Sequence, residues 1–486
     1  MERKWWTLVS VCVAIFMLLL DITIVNVALP SIQHSLKASF TDLQWVIDAY
    51  ALTLATCVLT AGSLSDLFGR KRIFAAGIAI FTVASALCGV ANDPLFLILA
   101  RGAQGIGGSI MFATSLALIS QEFHGKERGT AFGIWGATTG AAVAVGPLAG
   151  GILTSELSWR WIFFVNIPIG IAAVAITLTK VAESKDPDQG SIDPLGLALL
   201  TGGVFCLVFA LIEGNKRGWG SAFIIGFLVA AVVLITGLLI QQSRRATPML
   251  DVSLFKVPAF AGAQIGAFCL SASLFAMFLY LTLYIQEVLG YSPIQAGLRF
   301  LPITLLAFVS APIAGKLTAH APIRVLMGGG LAVVALSMGL MAHIHPSSGW
   351  TVLLAGFIVG GIGIGLVNPS LATTAISTVP REQAGVGSGI NATFRQVGIA
   401  TGIAGLGAIF QHQVSAYIAA HGATSSGGQA SQAGFSIPSA AAFISGLNDI
   451  LWVGTAIAAV GAVLTFALVR KQDFLASGPR AATPDA

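Results

Sequence analysis

The chain has 486 residues, 56% of them hydrophobic and 9% charged, with a net charge of +5. Soluble domains carry about 25% charged residues, so this composition, with a mean hydropathy of +0.88, excludes a solvated globule. So small a net charge on so long a chain gives no reason to expect nucleic acid as a partner.

A spanning helix needs about 20 mostly apolar residues, and such stretches follow one another from end to end. Arg3 and Lys4 lead the first, as in a secretory signal. It runs to about residue 29 without a small-x-small cleavage site, so a retained first helix is expected. Apolar stretches then lie at roughly 7–29, 43–62, 72–91, 95–120, 129–154, 161–180, 194–212, 220–240, 260–285, 294–318, 322–343, 351–375, 384–411 and 443–470. They predict about fourteen transmembrane helices. With the N-terminus inside, 18 of the 25 Lys and Arg residues fall on the cytoplasmic side and 4 outside, and Arg101, Arg299 and Arg395 lie within spans. The positive-inside rule therefore favours an even helix count with both termini cytoplasmic.

An internal repeat organises these helices. Gly105-Ile106-Gly107 recurs as Gly361-Ile362-Gly363, Ser115-Leu116-Ala117 as Ser370-Leu371-Ala372, and Lys126-Glu127 as Arg381-Glu382. The offsets are 256, 255 and 255, and parallel repeats are one way secondary transporters are built. The chain is accordingly expected to be all-α: a six-helix bundle over 1–180, a cytoplasmic linker with two inserted helices over 181–259, a second six-helix bundle over 260–470, and a cytoplasmic tail over 471–486. Residues 412–442 are expected as an outside loop.

Charges inside a membrane are costly and mark function by default. Asp21 lies about 12 Å below the outer end of helix 1 and Arg101 about 9 Å below that of helix 4 by helix rise, so the two are placed to pair. Low dielectric raises a carboxylate pKa and a nearby arginine lowers it. A carboxylate whose arginine partner comes and goes can load and release a proton; the alternative is a static ion pair. Asp48 is a candidate second acid, and Asp449 a weaker one. Arg395, with Asn391 one turn away, either lines a cavity or bonds backbone carbonyls. Glu213, Glu287 and Arg299, at outer helix ends, are expected to snorkel. Further cavity candidates are Asn26, Tyr50, Gln104, Trp135, Phe275, Tyr280, Tyr284 and Asn368. The glycine patterns Gly136–Gly140, Gly146–Gly150 and Gly361–Gly365 suit close helix packing, and none continues as a phosphate loop. No Ser/His/Asp or Cys/His set is present at a usable spacing, which argues against an enzyme. Cys12, Cys57, Cys88, Cys206 and Cys269 all fall in apolar stretches without metal or redox spacing. Small buried hydrophobes are expected there, and neither metal nor cofactor is implied.

Four segments resemble the signatures of the major facilitator superfamily, specifically its fourteen-helix drug:proton antiporters. They are Leu20-Asp21-Ile22-Thr23-Ile24-Val25-Asn26-Val27-Ala28-Leu29-Pro30, Gly62-Ser63-Leu64-Ser65-Asp66-Leu67-Phe68-Gly69-Arg70-Lys71-Arg72, Arg101-Gly102-Ala103-Gln104-Gly105-Ile106-Gly107-Gly108, and Gly146-Pro147-Leu148-Ala149-Gly150-Gly151. Trp159-Arg160-Trp161 through Asn166 and Pro168 is also similar to that group. The resemblance implies that Asp21 is the protonated acid and Arg101 its coupling partner. It implies a cytoplasmic latch at Gly62, Asp66, Gly69, Arg70 and Lys71, and a bending helix shaped by Gly146, Pro147 and Gly150. Leu67 departs from the pattern, where a basic residue often follows the loop aspartate. The coupling charges are not repeated: adding 255 to Asp21 and Arg101 reaches Ala276 and Gly356.

The expected activity is export of drug-like, cationic or amphipathic compounds by rocker-switch antiport. The partners are a small-molecule substrate and protons, in the lipid bilayer of a bacterial cytoplasmic membrane, with the chain acting as a monomer. Export of a single metabolite, antibiotic or lipid, uptake, and a non-transporting sensor or partner subunit are the competing readings.

Overall fold

The computed structural model describes residues 2–123, 125–185, 193–245, 248, 250–318, 321–379, 384–421, 440–470 and 473. The middle of the expected linker (186–192), most of the outside loop (422–439) and the tail beyond 473 lie outside the described residues.

Every described element is helical. The first six helices are α1 (Arg3–Leu36), α2 (Phe40–Phe68), α3 (Arg70–Gly89), α4 (Pro94–Glu122), α5 (Gly125–Glu156) and α6 (Trp161–Lys180). Then come α7 (Pro194–Arg217) and α8 (Ala222–Arg244), and after a short 3-10 turn at Val252–Lys256, α9 (Pro258–Val288), α10 (Pro293–Leu317), α11 (Ile323–Met341), α12 (Trp350–Ser377), α13 (Ala384–His421) and α14 (Ala440–Leu468). Thirteen of them are long and apolar enough to cross a membrane. The other is α13, whose helix bears Asn391, Arg395, Gln396, Gln411, His412 and Gln413.

The helix ends follow local chemistry. Ser39 with Asp42, and Ser292 with Gln295, form reciprocal capping boxes. Asp93 and Asp193 cap α4 and α7, each with a proline at the first helical position. Lys37 ends α1 in the left-handed conformation, φ 52°, and returns its N–H to the Gln33 carbonyl. α9 is not uniform: five-residue π turns at Ser271–Phe275 and Tyr284–Val288 interrupt it.

The repeat is visible in the packing. α2 packs on α4, α4 on α3, α3 on α6, and α1 on both α5 and α6. The same pairs recur as α10 on α12, α12 on α11, α11 on α14, and α9 on both α13 and α14. The repeated glycines mark the closest approaches. A methyl on Gly107 would lie 2.5 Å from the Phe81 nitrogen of α3, and one on Gly363 3.1 Å from the Val334 nitrogen of α11. A methyl on Gly105 or Gly361 would each lie 2.5 Å from a carbonyl, that of Tyr50 on α2 or Ile303 on α10. The two sets of helices meet where α5 packs on α10 and α2 on α13, again related by the repeat. α7 and α8 pair with each other, and α7 leans on α2 and α13.

Candidate functional site

Five helices converge on Asp21. α1 supplies the carboxylate, which is completely buried. From α4, Arg101 Nη1 donates to its Oδ2 at 2.5 Å and Gln104 Nε2 to its Oδ1 at 2.8 Å. From α6, Asn166 Nδ2 donates to Oδ1 at 3.2 Å and also to Ser85 Oγ of α3 at 3.0 Å. From α2, the Val46 carbonyl accepts from Arg101 Nε at 3.2 Å, and the Tyr50 ring lies 4.2 Å from the guanidinium carbon. The donors around Asp21 suit a carboxylate, which only accepts. Arg101, 2% exposed, is held by charge, hydrogen bonds and ring face together. Asp21, Arg101, Gln104 and Tyr50 were all legible as candidates, and they form one cluster. Asn166 stood out only as part of a family motif; its place on the carboxylate comes from the break between the two helical pieces of α6 at Val165.

Asp48 lies on α2 with neither carboxylate oxygen hydrogen-bonded. Buried polar groups are almost always paired, so this one stands out among the described residues. One turn closer to the outer end, Gln44 Nε2 donates to the Ile403 carbonyl of α13 at 3.0 Å, and Tyr280 Oη of α9 donates to the same oxygen at 2.7 Å. Tyr280 therefore serves a buried three-helix seam. Tyr284 is also buried, with its hydroxyl 3.4 Å from the Ser348 carbonyl. Asn26 bonds back to the Ile22 carbonyl of its own helix at 3.2 Å.

Farther down the bundle, Asn391 Nδ2 of α13 donates to Gln264 Oε1 of α9 at 3.1 Å. Arg395, one turn along, stands 6.0 Å from the Phe275 ring. Trp135 Nε1 on α5 and Asn368 Oδ1 on α12 are buried without hydrogen-bond partners. Asp449 is half-buried on α14, apart from both clusters. Of the three residues expected to snorkel, Glu213 instead turns to Arg217 at 3.0 Å and is 8% exposed. Glu287 pairs with His34, and the Arg299 guanidinium carbon lies over Tyr291, 3.4 Å from its ring centre.

The glycines of α5 lie against the turn of α1 that follows Asp21. A methyl on Gly150 would stand 2.8 Å from the Ile24 carbonyl, and one on Gly146 would collide with Thr23. The opposite face of α5 meets α10, where Gly297 fits against Pro147 and Gly151 against Ile294. At the inner end, Gly69 turns with φ +108° between α2 and α3. Arg70 N–H donates to the Ser184 carbonyl at 2.9 Å and Lys71 N–H to Glu183 Oε1 at 3.1 Å. Arg72 reaches the other Glu183 oxygen at 3.5 Å. Gly62 has open space where a side chain would be, and the Asp66 side chain lies outside the described residues. Glu183 was missed by sequence reasoning. The signal was three consecutive cations at a helix N-terminus, where the macrodipole disfavours them and an acid is needed nearby.

The two sets of helices hold each other at the outer end. His34 Nε2 is 3.0 Å from Glu287, Gln286 Nε2 donates to the Val27 carbonyl at 2.7 Å, and Ile294 N–H donates to Ser155 Oγ at 3.0 Å. Phe40 of α2 sits beside Tyr280 and Phe410. Farther in, Thr393 Oγ1 donates to the Ala55 carbonyl at 2.9 Å.

Comparison with known proteins agrees with this architecture. Residues 11–403 match the family model described as Major Facilitator Superfamily. The chain is 34% identical to the tetracenomycin C resistance and export protein of Streptomyces glaucescens, over 85% of this chain and 77% of that protein. It is 37% identical to the puromycin resistance protein pur8 of Streptomyces alboniger, over 86% and 84%. A solved structure of a bacterial homolog of the human lysosomal transporter Spinster, inward-facing and unoccupied, superposes with a TM-score of 0.68 at 18% identity, covering 98% of this chain and 99% of that one. Spanning helices, repeat, intramembrane ion pair and relatives together establish that this chain belongs to the Major Facilitator Superfamily, alongside drug and antibiotic efflux proteins of the bacterial cell membrane.

Proposed function

We propose that the chain is a proton-coupled antiporter that exports small amphipathic organic compounds by alternating access. The observation that carries this reading is the Asp21 cluster. A buried carboxylate shared by α1, α4 and α6 joins protonation to helix position, because protonation removes the charge that holds Arg101 and weakens its hold on all three donors. The Thr23–Ile24 turn lies directly against Gly146 and Gly150, and α5 carries any shift to the α10 interface. Packed interfaces of this kind move between discrete arrangements rather than deforming continuously. The rocking units are residues 1–180 and 260–470, with 181–259 inserted between them, fourteen spans in all and both termini cytoplasmic. The closed outer end favours an inward-facing state, from which substrate loads and Asp21 releases its proton to the cytoplasm. Asp48 is the second proton carrier: either a proton or a cation entering beside it relieves the burial of an unpaired carboxylate.

The test is substrate-driven proton movement in proteoliposomes. Asp21→Asn is expected to abolish gradient-driven export while leaving exchange of substrate for substrate intact. Unchanged coupled flux in that variant would remove Asp21 from the mechanism, and absence of any proton-linked flux in the wild type would favour a sensor or partner subunit. Two of the relatives are named for resistance to, or export of, one antibiotic, which favours a narrow substrate range as the second reading. Protection of cells against one compound supports it, and protection against several unrelated ones supports a multidrug exporter.

A further inference from the structure

Arg395 has no counter-ion and no hydrogen-bond acceptor among the described residues; its guanidinium carbon lies 6.0 Å from the Phe275 ring. It lies about 16 Å into α13 by helix rise, well within the bundle. No residue of α13 from 387 to 408 is exposed, and α2, α7, α9, α12 and α14 surround that helix. The partial exposure of Arg395 therefore opens into the bundle rather than to lipid. A guanidinium offers five N–H donors and cannot shed its charge, and leaving it unpaired in such a place is among the most expensive arrangements a protein can hold.

Its neighbours share the same deficit. α13 meets α9 along Asn391, Arg395, Gly398 and Gly402, spaced four, three and four apart. α9 answers with Gln264, Phe268, Ser271 and Phe275 at the same spacing, one face of a helix. A methyl on Gly398 would lie 2.7 Å from the Phe268 carbonyl and 3.0 Å from Ser271 Cβ, so the two rows are in register. On this seam Gln264 Nε2 and Ser271 Oγ are buried, completely unexposed and without partners. Ser271 opens the first π turn of α9, and such turns often mark functional sites. Three unpaired donor groups thus lie along one seam. Beyond Phe275, the rings continue outward through half-buried Phe278 at 6.2 Å and on to buried Phe300 at 5.5 Å.

Resting on the exporter reading above, we propose that the α9–α13 seam is the substrate site and that it takes an organic anion: an apolar or aromatic molecule bearing one carboxylate, phenolate or enolate oxygen. The acidic oxygen pairs with Arg395; Gln264 and Ser271, two turns apart on α9 or about 10 Å by helix rise, offer donors at either end of that stretch, and the apolar body lies along Phe275 and Phe278. A carboxylate matches the guanidinium fork with two parallel bonds. A neutral acceptor satisfies the donors but leaves the charge, and a cationic group meets a like charge. Of the drug-like, cationic or amphipathic compounds expected from the sequence, this disfavours the cationic ones.

Three probes sharing one ring system separate these cases: 9-anthracenecarboxylate, its methyl ester and 9-(aminomethyl)anthracene. Binding to the full chain in lipid nanodiscs is read by quenching of tryptophan fluorescence. Wild type is expected to prefer the carboxylate over both others by at least about tenfold, the factor for one charge-assisted hydrogen bond. Arg395→Gln should erase the preference while keeping affinity for the ester, and Arg395→Lys should restore part of it. Ester binding in Arg395→Gln also shows that the variant is folded. A wild type that prefers the amine, binds none of the three, or keeps its carboxylate preference without Arg395 overturns the proposal. Proton-linked flux measured on the same preparation tells the two readings apart. Flux without carboxylate preference removes this site and leaves the exporter, and preference without proton-linked flux does the reverse.

Discussion

A single buried carboxylate at the start of α7 shows how charge is handled at the edge of this bundle. Asp193 is 1% exposed and accepts from Gly196 N–H at 2.9 Å, Gln242 Nε2 at 2.5 Å, Gln241 Nε2 at 3.2 Å and Arg245 Nη1 at 3.2 Å. Burial works against its charge, but the Gly196 amide, the two glutamine amides and the Arg245 guanidinium outweigh it. They hold the Asp193 carboxyl below the ordinary aspartate value. A carboxylate with a lowered folded-state pKa adds stability that is present above its unfolded value and lost as pH falls through the folded one. Thermal unfolding of the purified protein should therefore show Asp193→Asn less stable than wild type at neutral pH. Asparagine caps as well as aspartate, so the loss is that of the charge in the bonds to Gln241, Gln242 and Arg245, about 1 kcal/mol from the difference between charged and neutral hydrogen bonds, and the gap should close as the buffer is taken below the usual aspartate range. A gap unchanged by acid would mean that the aspartate acts there by shape rather than by charge. The same accounting separates what was legible at this scale. Asp21 and Arg101 were readable because charges in apolar helices have few explanations. Glu183, Gln264 and Ser271 were not, because a polar residue in a linker or a helix acquires meaning only from the chain that packs against it.

Helices were the most legible elements. All fourteen apolar stretches became helices within a few residues of their expected bounds, apart from extensions at the ends of α1, α2, α7 and α13. Those extensions carry polar residues, which a hydropathy reading trims and a helix tolerates once it leaves the apolar layer. The π turns of α9 had no comparable signal: the first packs against α13, whose Gly398 and Gly402 admit the α9 backbone, and the second lies against α10 and α14. The repeat, seen in sequence as three short matches, has its physical cause in glycine. Gly107 and Gly363 each bring their helix onto the backbone of the next, and a side chain there would push the helices apart. Gly107→Ala and Gly363→Ala should each cost about 1–3 kcal/mol, the range for overpacking. Both should lower the unfolding temperature of detergent-solubilised protein, and by similar amounts. Gly136→Ala, where nothing lies within 4 Å of the added methyl, is the control. Were Gly107→Ala to behave like that control, the glycine repeat would not be what spaces these helices.

At the scale of the molecule, the joint between the two sets of helices decides which side is open. Its polar contacts run from His34–Glu287 and Ser155–Ile294 at the outer end down to Thr393–Ala55. Their weights differ. The His34–Glu287 pair is largely exposed on the histidine side, and exposed pairs contribute little. Gln286 to the Val27 carbonyl and Gln44 to the Ile403 carbonyl are buried, so breaking them without new partners is costly. Outward opening must separate α1 from α9 and α2 from α13 here. A covalent link across His34 and Glu287 should accordingly arrest the cycle without disturbing the fold. With both changed to cysteine, a short bifunctional thiol reagent should stop export in vesicles, and a reducible version of the link should restore it on reduction. The native cysteines do not supply this bridge, since Cys12, Cys57, Cys88, Cys206 and Cys269 are buried or half-buried within helices. Each single-cysteine variant treated alike should export normally, because a weak exposed pair is not what holds the joint. Export that continues in the linked double variant would mean that the outer ends of α1 and α9 stay together throughout the cycle, and that access alternates by a movement other than rocking about this joint.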